Sequence, residues 1–127
     1  FTFNIVLIFF KINCINQSVK LYQHKNHSLI VSTSIVVDTN VFRVISRIYF
    51  SNENMNFSKK DDILKVKNFL EENISNNYRI FQIVHTILLL HGKHICRAKP
   101  YCDKCKISNT CNYCRNKVKN TQLSLFL

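Results

Sequence analysis

Five thiols crowd one short stretch of this chain: Cys96, Cys102, Cys105, Cys111 and Cys114 lie within nineteen residues, and the sixth cysteine, Cys14, stands far from them. Clustered thiolates in a reducing compartment usually hold metal, whereas in a small secreted domain the same pattern reads as disulfides. No cleavable leader is visible, and the apolar run 5–10 is shorter than the ~20 residues a membrane span needs. The expected setting is therefore inside the cell, in a cytoplasm, nucleoid or nucleus, with no membrane partner. The expected chemistry is metal binding.

Two centres compete for such a run. Tetrahedral zinc accepts four thiolates, and Cys102-x2-Cys105 with Cys111-x2-Cys114 imitates a pair of zinc knuckles. Knuckle pairs are usually separated by ~15–20 residues, enough to fold one back onto the other. Here only five residues separate Cys105 from Cys111. A cubane 4Fe–4S cluster is wider and takes one cysteine per iron. The uneven run Cys96-x5-Cys102-x2-Cys105-x5-Cys111 suits it better, with zinc as the alternative.

The elements that must position these thiols precede them. Val41, Phe42, Ile45, Ile48 and Tyr49 recur at helical spacing, with Asp38 and Thr39 as capping residues in front. Arg43 and Arg47 share the opposite face. Ser58 and Asp61 open a second helix whose buried stripe is Ile63, Val66, Leu70 and Ile74, and Asn76–Asn77 end it. The stretch 78–91 is apolar nearly all round, which predicts a central buried helix, and Gly92, the only glycine, is its expected stop. The cysteine-rich part is too poor in aliphatics to fold around its own core. Residues 1–35 differ in composition, being rich in Phe, Ile and Val, and are strand-like by propensity.

The chain has 127 residues and 46% hydrophobic content, which fits one domain with a core. Its first residue is Phe1 rather than Met, so it reads as a fragment. The expected organisation is an N-terminal segment 1–35 of uncertain character, an all-α metal-binding lobe at 36–115, and a tail at 116–127.

The net charge of +11 calls for an anionic partner. Part of that charge is compositional, because Asn, Ile and Lys together make 44 of the 127 residues. The local density is more telling: 93–119 holds eight Lys or Arg and one acid, Asp103. Arg97, Lys99, Lys104 and Lys106 interleave with the cysteines and are candidates for phosphate contact. The bland alternative is a solvated loop in a lysine-rich protein. His85, His91 and His94 read as structural rather than as ligands.

VVDTNVFRVISRI (36–48), LLLHGKHIC (88–96) and CRAKPYCDKCKISNTC (96–111) follow one another in that order. Together they resemble the C-terminal third of endonuclease III and its helix-hairpin-helix glycosylase relatives, over about 80 residues from Ile35 to Arg115. The resemblance implies a 4Fe–4S cluster on Cys96, Cys102, Cys105 and Cys111, with Cys114 outside the ligand set. The RAKPY loop between the first two ligands is one residue shorter than the family's. The resemblance also implies that the loop carrying Arg97, Lys99, Lys104 and Lys106 touches the DNA backbone.

Asp38 falls where the family has its catalytic carboxylate. A carboxylate opening a helix is held as an anion by free N–H groups and the helix dipole. That suits a reaction that develops positive charge on a sugar as a glycosidic bond breaks. The alternative role is a plain helix cap. Lys20 stands eighteen residues before Asp38, the spacing of the family's Schiff-base lysine, but lacks the glycine-rich hairpin that precedes it. Lys20 is therefore a candidate amine, against the alternative of a surface lysine.

The implied activity is base-excision repair. A monomer would remove a damaged or mismatched base from double-stranded DNA, and nick the abasic site where a competent lysine exists. The alternative is a non-catalytic nucleic-acid-binding module built on zinc or a cluster. Without hairpin glycines, the 127 residues alone are expected to be inactive, and to expose an apolar face centred on Phe42, Ile45 and Ile83 where a second lobe docks.

Overall fold

A computed structural model of the chain describes residues 34–74 and 78–126. The strand-like stretch before residue 34, Cys14, Lys20 and the Asn76–Asn77 stop lie outside the described residues. Among the described residues four α-helices follow in order: α1 (Thr39–Tyr49), α2 (Lys60–Asn73), α3 (Tyr78–His94) and α4 (Asn112–Phe126), with a 3-10 turn at Cys102–Lys104. There is no strand among the described residues. The lobe is all-α.

The order of packing follows from the apolar stripes. Helix α1 touches each of the other three and is the hub. It buries Val41, Phe42, Val44, Ile45 and Ile48 on one face. Helix α3 meets it with Phe81, Val84 and the run Thr86–Gly92. Helix α2 contributes only Val66 and Leu70 to the buried set, with Ile63 and Ile74 partly covered, as its narrower stripe requires. Ile45, Leu70 and Leu88 are among the most deeply buried side chains. Truncating any of them to Ala should cost ~2–5 kcal/mol.

Three expectations need correction. Gly92 does not stop α3, which runs on to His94. Its lack of a Cβ serves close packing instead, because an added Cβ would meet the Asn40 Cβ at 2.9 Å. Ser58 is not the cap of α2. Its hydroxyl and amide both turn to the Asn56 side chain, and the helix opens after Lys59.

The apolar face expected around Phe42 and Ile45 is closed: they are 6% and 2% exposed. The segment after α1 folds back and sets the Phe57 ring edge-on to Phe42 at 5.4 Å. Ile83 is half-buried. The chain after the cysteine run is helical as far as Phe126, as α4. No helix among the described residues is long and apolar enough to cross a membrane.

Candidate metal centre and its surroundings

The cysteine loop hangs from the end of α3 by a chain of tight turns. The amides of Ile95 and Cys96 both donate to the His91 carbonyl, at 3.0 and 2.8 Å. The Tyr101 amide donates back to the Ile95 carbonyl at 3.0 Å, and the Cys105 amide to that of Cys102 at 3.3 Å. Thr110 and Cys111 both donate to the Ile107 carbonyl at 3.0 Å. Ile107 is 2% exposed and plugs the loop into the core. One buried aliphatic residue thus does for this loop what a longer apolar stripe does for a helix.

This folding brings all five cysteines, Cys96 to Cys114, to the wall of one small cavity, together with His91, Ile48 and Ile107. Cys114 is therefore not apart from the other four. Position 114 lies three residues beyond 111, so the first turn of α4 presents both to the same side. Cys102 and Cys114 are joined in a disulfide, while Cys96, Cys105 and Cys111 are free thiols.

Among the described residues no three His, Cys, Asp or Glu side chains are gathered as a metal site in this structure, in which the Cys102–Cys114 bond is closed. With it open, the cavity offers five soft donors against an apolar wall. That number and type of donor fits a cluster taking one thiolate per iron.

Burial sets the electrostatics. It pushes the Cys105 and Cys111 thiols above their ordinary value. It lowers His91 to about 4, so this ring is neutral, with Nε2 3.8 Å from the Cys105 sulfur. Tyr49, on the neighbouring turn of α1, is raised to about 12, mainly by burial and secondarily by Cys111.

Two arginines tie this loop to α1. Arg43 donates through Nη2 to the Gly92 carbonyl at 2.7 Å and through Nε to the Cys96 carbonyl at 2.9 Å. It thereby caps the end of α3, where carbonyls lack helical partners and a cation is favoured. Arg47, one turn on, donates to the carbonyls of Arg97 at 2.5 Å and Ala98 at 3.0 Å. Its Nη1 also lies 3.4 Å from the Cys96 sulfur, and its guanidinium stacks over the Tyr113 ring at 4.9 Å.

Asp38 stands at the head of the same helix. Its Oδ1 accepts from the Val41 amide at 2.8 Å, the geometry of an N-cap. Asn40, two residues on, accepts from Arg43 Nη2 at 3.0 Å. Asp38 thus caps the start of α1, and Arg43, on the turn that follows, reaches Cys96. Arg97, Lys99, Lys104 and Lys106 are all exposed on the outer side of the loop. Arg97 and Lys104 flank Tyr101, an exposed ring, at 5.5 and 5.6 Å from its centroid. His85 Nδ1 lies 2.9 Å from the Val36 carbonyl, away from the cysteines. Lys20 lies outside the described residues.

Arg43, Arg47 and Tyr101 were not singled out as site residues by the sequence. The spacing of the two arginines marked one helix face, but nothing local says that this face meets carbonyls fifty residues away.

An endonuclease III of Haemophilus influenzae is 37% identical over 87 residues, covering 68% of this chain and 36% of that protein. The endonuclease III of Sulfolobus acidocaldarius is 33% identical over 85 residues, 66% of this chain and 34% of its own length. That of Rickettsia conorii is 38% identical over 81 residues, covering 63% and 34%. The chain therefore spans about a third of the length of the curated relatives it matches. No family profile and no solved structure matches it. The identity to these proteins, carried by an all-α frame and a cysteine-rich loop in one cavity, means that this chain contains an endonuclease III-like region.

Proposed function

We propose that this chain is the metal-binding lobe of a base-excision DNA glycosylase that acts as a monomer inside the cell. The observation that carries the reading is the single cavity walled by five cysteines, set beside an exposed basic loop. Cys96, Cys102, Cys105 and Cys111 would hold a 4Fe–4S cluster, with Cys102 reduced. The cluster, when bound, supplies a fixed node that organises a loop with little core of its own. The loop's own residues do the rest. Arg97, Lys99, Lys104 and Lys106 contact phosphates of double-stranded DNA and position it without reading sequence.

Asp38 stands at the N-terminus of α1, its carboxylate fixed by accepting from the Val41 amide. Such a fixed anion stabilises positive charge developing on the sugar as a damaged or mismatched base leaves. Strand nicking at the abasic site requires an amine, for which Lys20 is the candidate. The base pocket also needs a second lobe facing Asp38, so turnover belongs to a two-lobed protein.

Metal analysis and DNA binding test this directly. Anaerobically purified protein should be brown, with about four irons per chain. Stoichiometric zinc without visible absorption would replace the cluster with the zinc alternative. Reversing the four loop charges should weaken binding to any duplex and flatten its dependence on salt. Fusion to the hairpin lobe of a relative, assayed on thymine glycol, abasic and G·T duplexes, would assign the substrate.

A further inference from the structure

We propose that Cys102 and Cys114 form a reversible disulfide that withdraws one sulfur from the metal-binding cavity, so that filling the cavity depends on the thiol redox state around the protein. The bond joins a residue of the proposed ligand set to one outside it. For the identity of the excluded occupant, the inference rests on the cluster reading given above.

Both cysteines are held where a bond forms without rebuilding the backbone. Their Cα atoms are 5.8 Å apart, inside the range that a disulfide spans. Cys102 begins the 3-10 turn, whose last bond runs from the Cys105 amide to the Cys102 carbonyl at 3.3 Å. Cys114 sits in the first turn of α4, which is anchored by the Cys111 amide on Ile107 and the Arg115 amide on Cys111. The shortened RAKPY loop leads into Cys102 from Cys96.

The consequence for metal is one of stoichiometry. A cubane takes one cysteine per iron. With the bond closed, the free thiols are Cys96, Cys105 and Cys111, one short of four. With it open, the cavity wall carries five.

The exposures set the order of chemistry. Cys102 is partly exposed, whereas Cys114 is only 5% exposed. A small-molecule disulfide such as oxidised glutathione therefore meets Cys102 first. The Cys102 thiolate, having lost its proton, attacks one glutathione sulfur and expels the other half as a thiolate. The Cys114 thiolate then attacks the Cys102 sulfur and expels the second glutathione. Two protein thiols and one small disulfide become one protein disulfide and two small thiols. Excess reduced glutathione or a dithiol runs the exchange backwards.

The test uses the full chain, equilibrated anaerobically in glutathione buffers that run from reduced to oxidised. Each sample is divided between non-reducing peptide mapping and reconstitution with iron and sulfide. At the oxidised end the map should contain a peptide pair linked through Cys102 and Cys114, and iron uptake should fall at least tenfold. Dithiothreitol should restore both.

Cys114→Ser, checked for helix content by circular dichroism, should load iron at the reduced end like the unaltered chain. It should also keep loading in the intermediate buffers that silence the unaltered chain, because a lone mixed disulfide at Cys102 needs a larger share of oxidised glutathione than the intramolecular bond and is still cleared there by reduced glutathione. A Cys102 linked elsewhere, equal uptake at both ends of the series, or a Cys114→Ser chain that fails to load even when reduced would overturn the proposal. A reduced chain that takes no iron yet forms the linked peptide would remove the cluster reading and leave the disulfide standing.

Discussion

Asn40 and Gly92 bring α1 and α3 into backbone contact: a Cβ on Gly92 would lie 2.9 Å from the Asn40 Cβ and 3.1 Å from the Asn40 carbonyl oxygen. Replacing glycine by alanine inside a helix ordinarily stabilises by about 1 kcal/mol. Here the sign should invert. Gly92→Ala must push the helices apart or shift Asn40, and the expected loss is ~1–3 kcal/mol, the usual cost of overpacking. Urea unfolding of both proteins measures it, and an unchanged or raised midpoint would mean that the two helices part freely.

Arg43 joins the end of α3 to the start of the cysteine loop through the carbonyls of Gly92 and Cys96. A lysine at this place keeps the charge but lacks the planar fork that serves two carbonyls and Asn40 together. Arg43→Lys should therefore destabilise by about 1.5–3 kcal/mol, the range for hydrogen bonds to a charged group. Amide hydrogen exchange at Cys96 and Tyr101 should speed up more than exchange in α2, which Arg43 does not touch. Equal acceleration everywhere would make the effect a global one.

The parts of this lobe that could be read in the sequence are those whose cause is local. The stripe Val41, Phe42, Ile45, Ile48 and the Asp38 cap predict α1 because period and cap chemistry both act within a few residues. The same holds for α3, which needs nothing but its own apolar surface to be called a buried helix. Helix α4 was missed because NYCRNKVKNTQLSLF shows no buried stripe: Val118, Leu123 and Leu125 are all exposed.

The phase of that helix is what brings Cys114 to the cavity wall beside the other four cysteines. Gly92 was misread for a different reason. A glycine near a helix end usually stops it, and only the three-dimensional crossing with Asn40 supplies the competing cause. The four proposed ligands could be named from spacing, but the arginine clamp spans about fifty residues and leaves no local trace.

Asp38 carries two separable roles, and two substitutions separate them. Asp38→Ala removes the bond to the Val41 amide and should cost about 1 kcal/mol of stability. Asp38→Asn keeps an accepting oxygen and should cost only a few tenths of that. In a two-lobed fusion, however, the Asn variant should lose turnover on the order of 10²-fold or more, because it lacks the charge that opposes a developing cation. Affinity for damaged duplex should barely change. Activity that survives in the Asn variant would leave Asp38 as a cap alone.

His91 makes the metal-free lobe sensitive to acid. Burial holds its folded-state value at about 4, below the ordinary 6.5 of an unfolded histidine. Between those values the unfolded chain binds the proton that the folded chain refuses. Stability from this residue is therefore fully present above about pH 6.5, falls as pH drops, and is gone below about pH 4. The loss should be on the order of 3 kcal/mol across that window. His91→Gln should lose less between pH 7 and pH 4 than the unaltered chain, by that difference, in parallel thermal melts. Identical slopes would place the acid sensitivity elsewhere.

The hold of Arg47 on the carbonyls of Arg97 and Ala98 has a consequence for proteolysis. Arg97 is exposed and would ordinarily be an open target for trypsin. To cut there, the enzyme must draw the Arg97 carbonyl into its own oxyanion hole, and Arg47 already occupies that oxygen. The next basic residue, Lys99, is followed by Pro100, a bond that trypsin cleaves poorly. Cleavage after Arg97 should therefore lag behind cleavage after the exposed Lys104, Lys106, Lys117 and Lys119, and catch up only once Arg47 lets go.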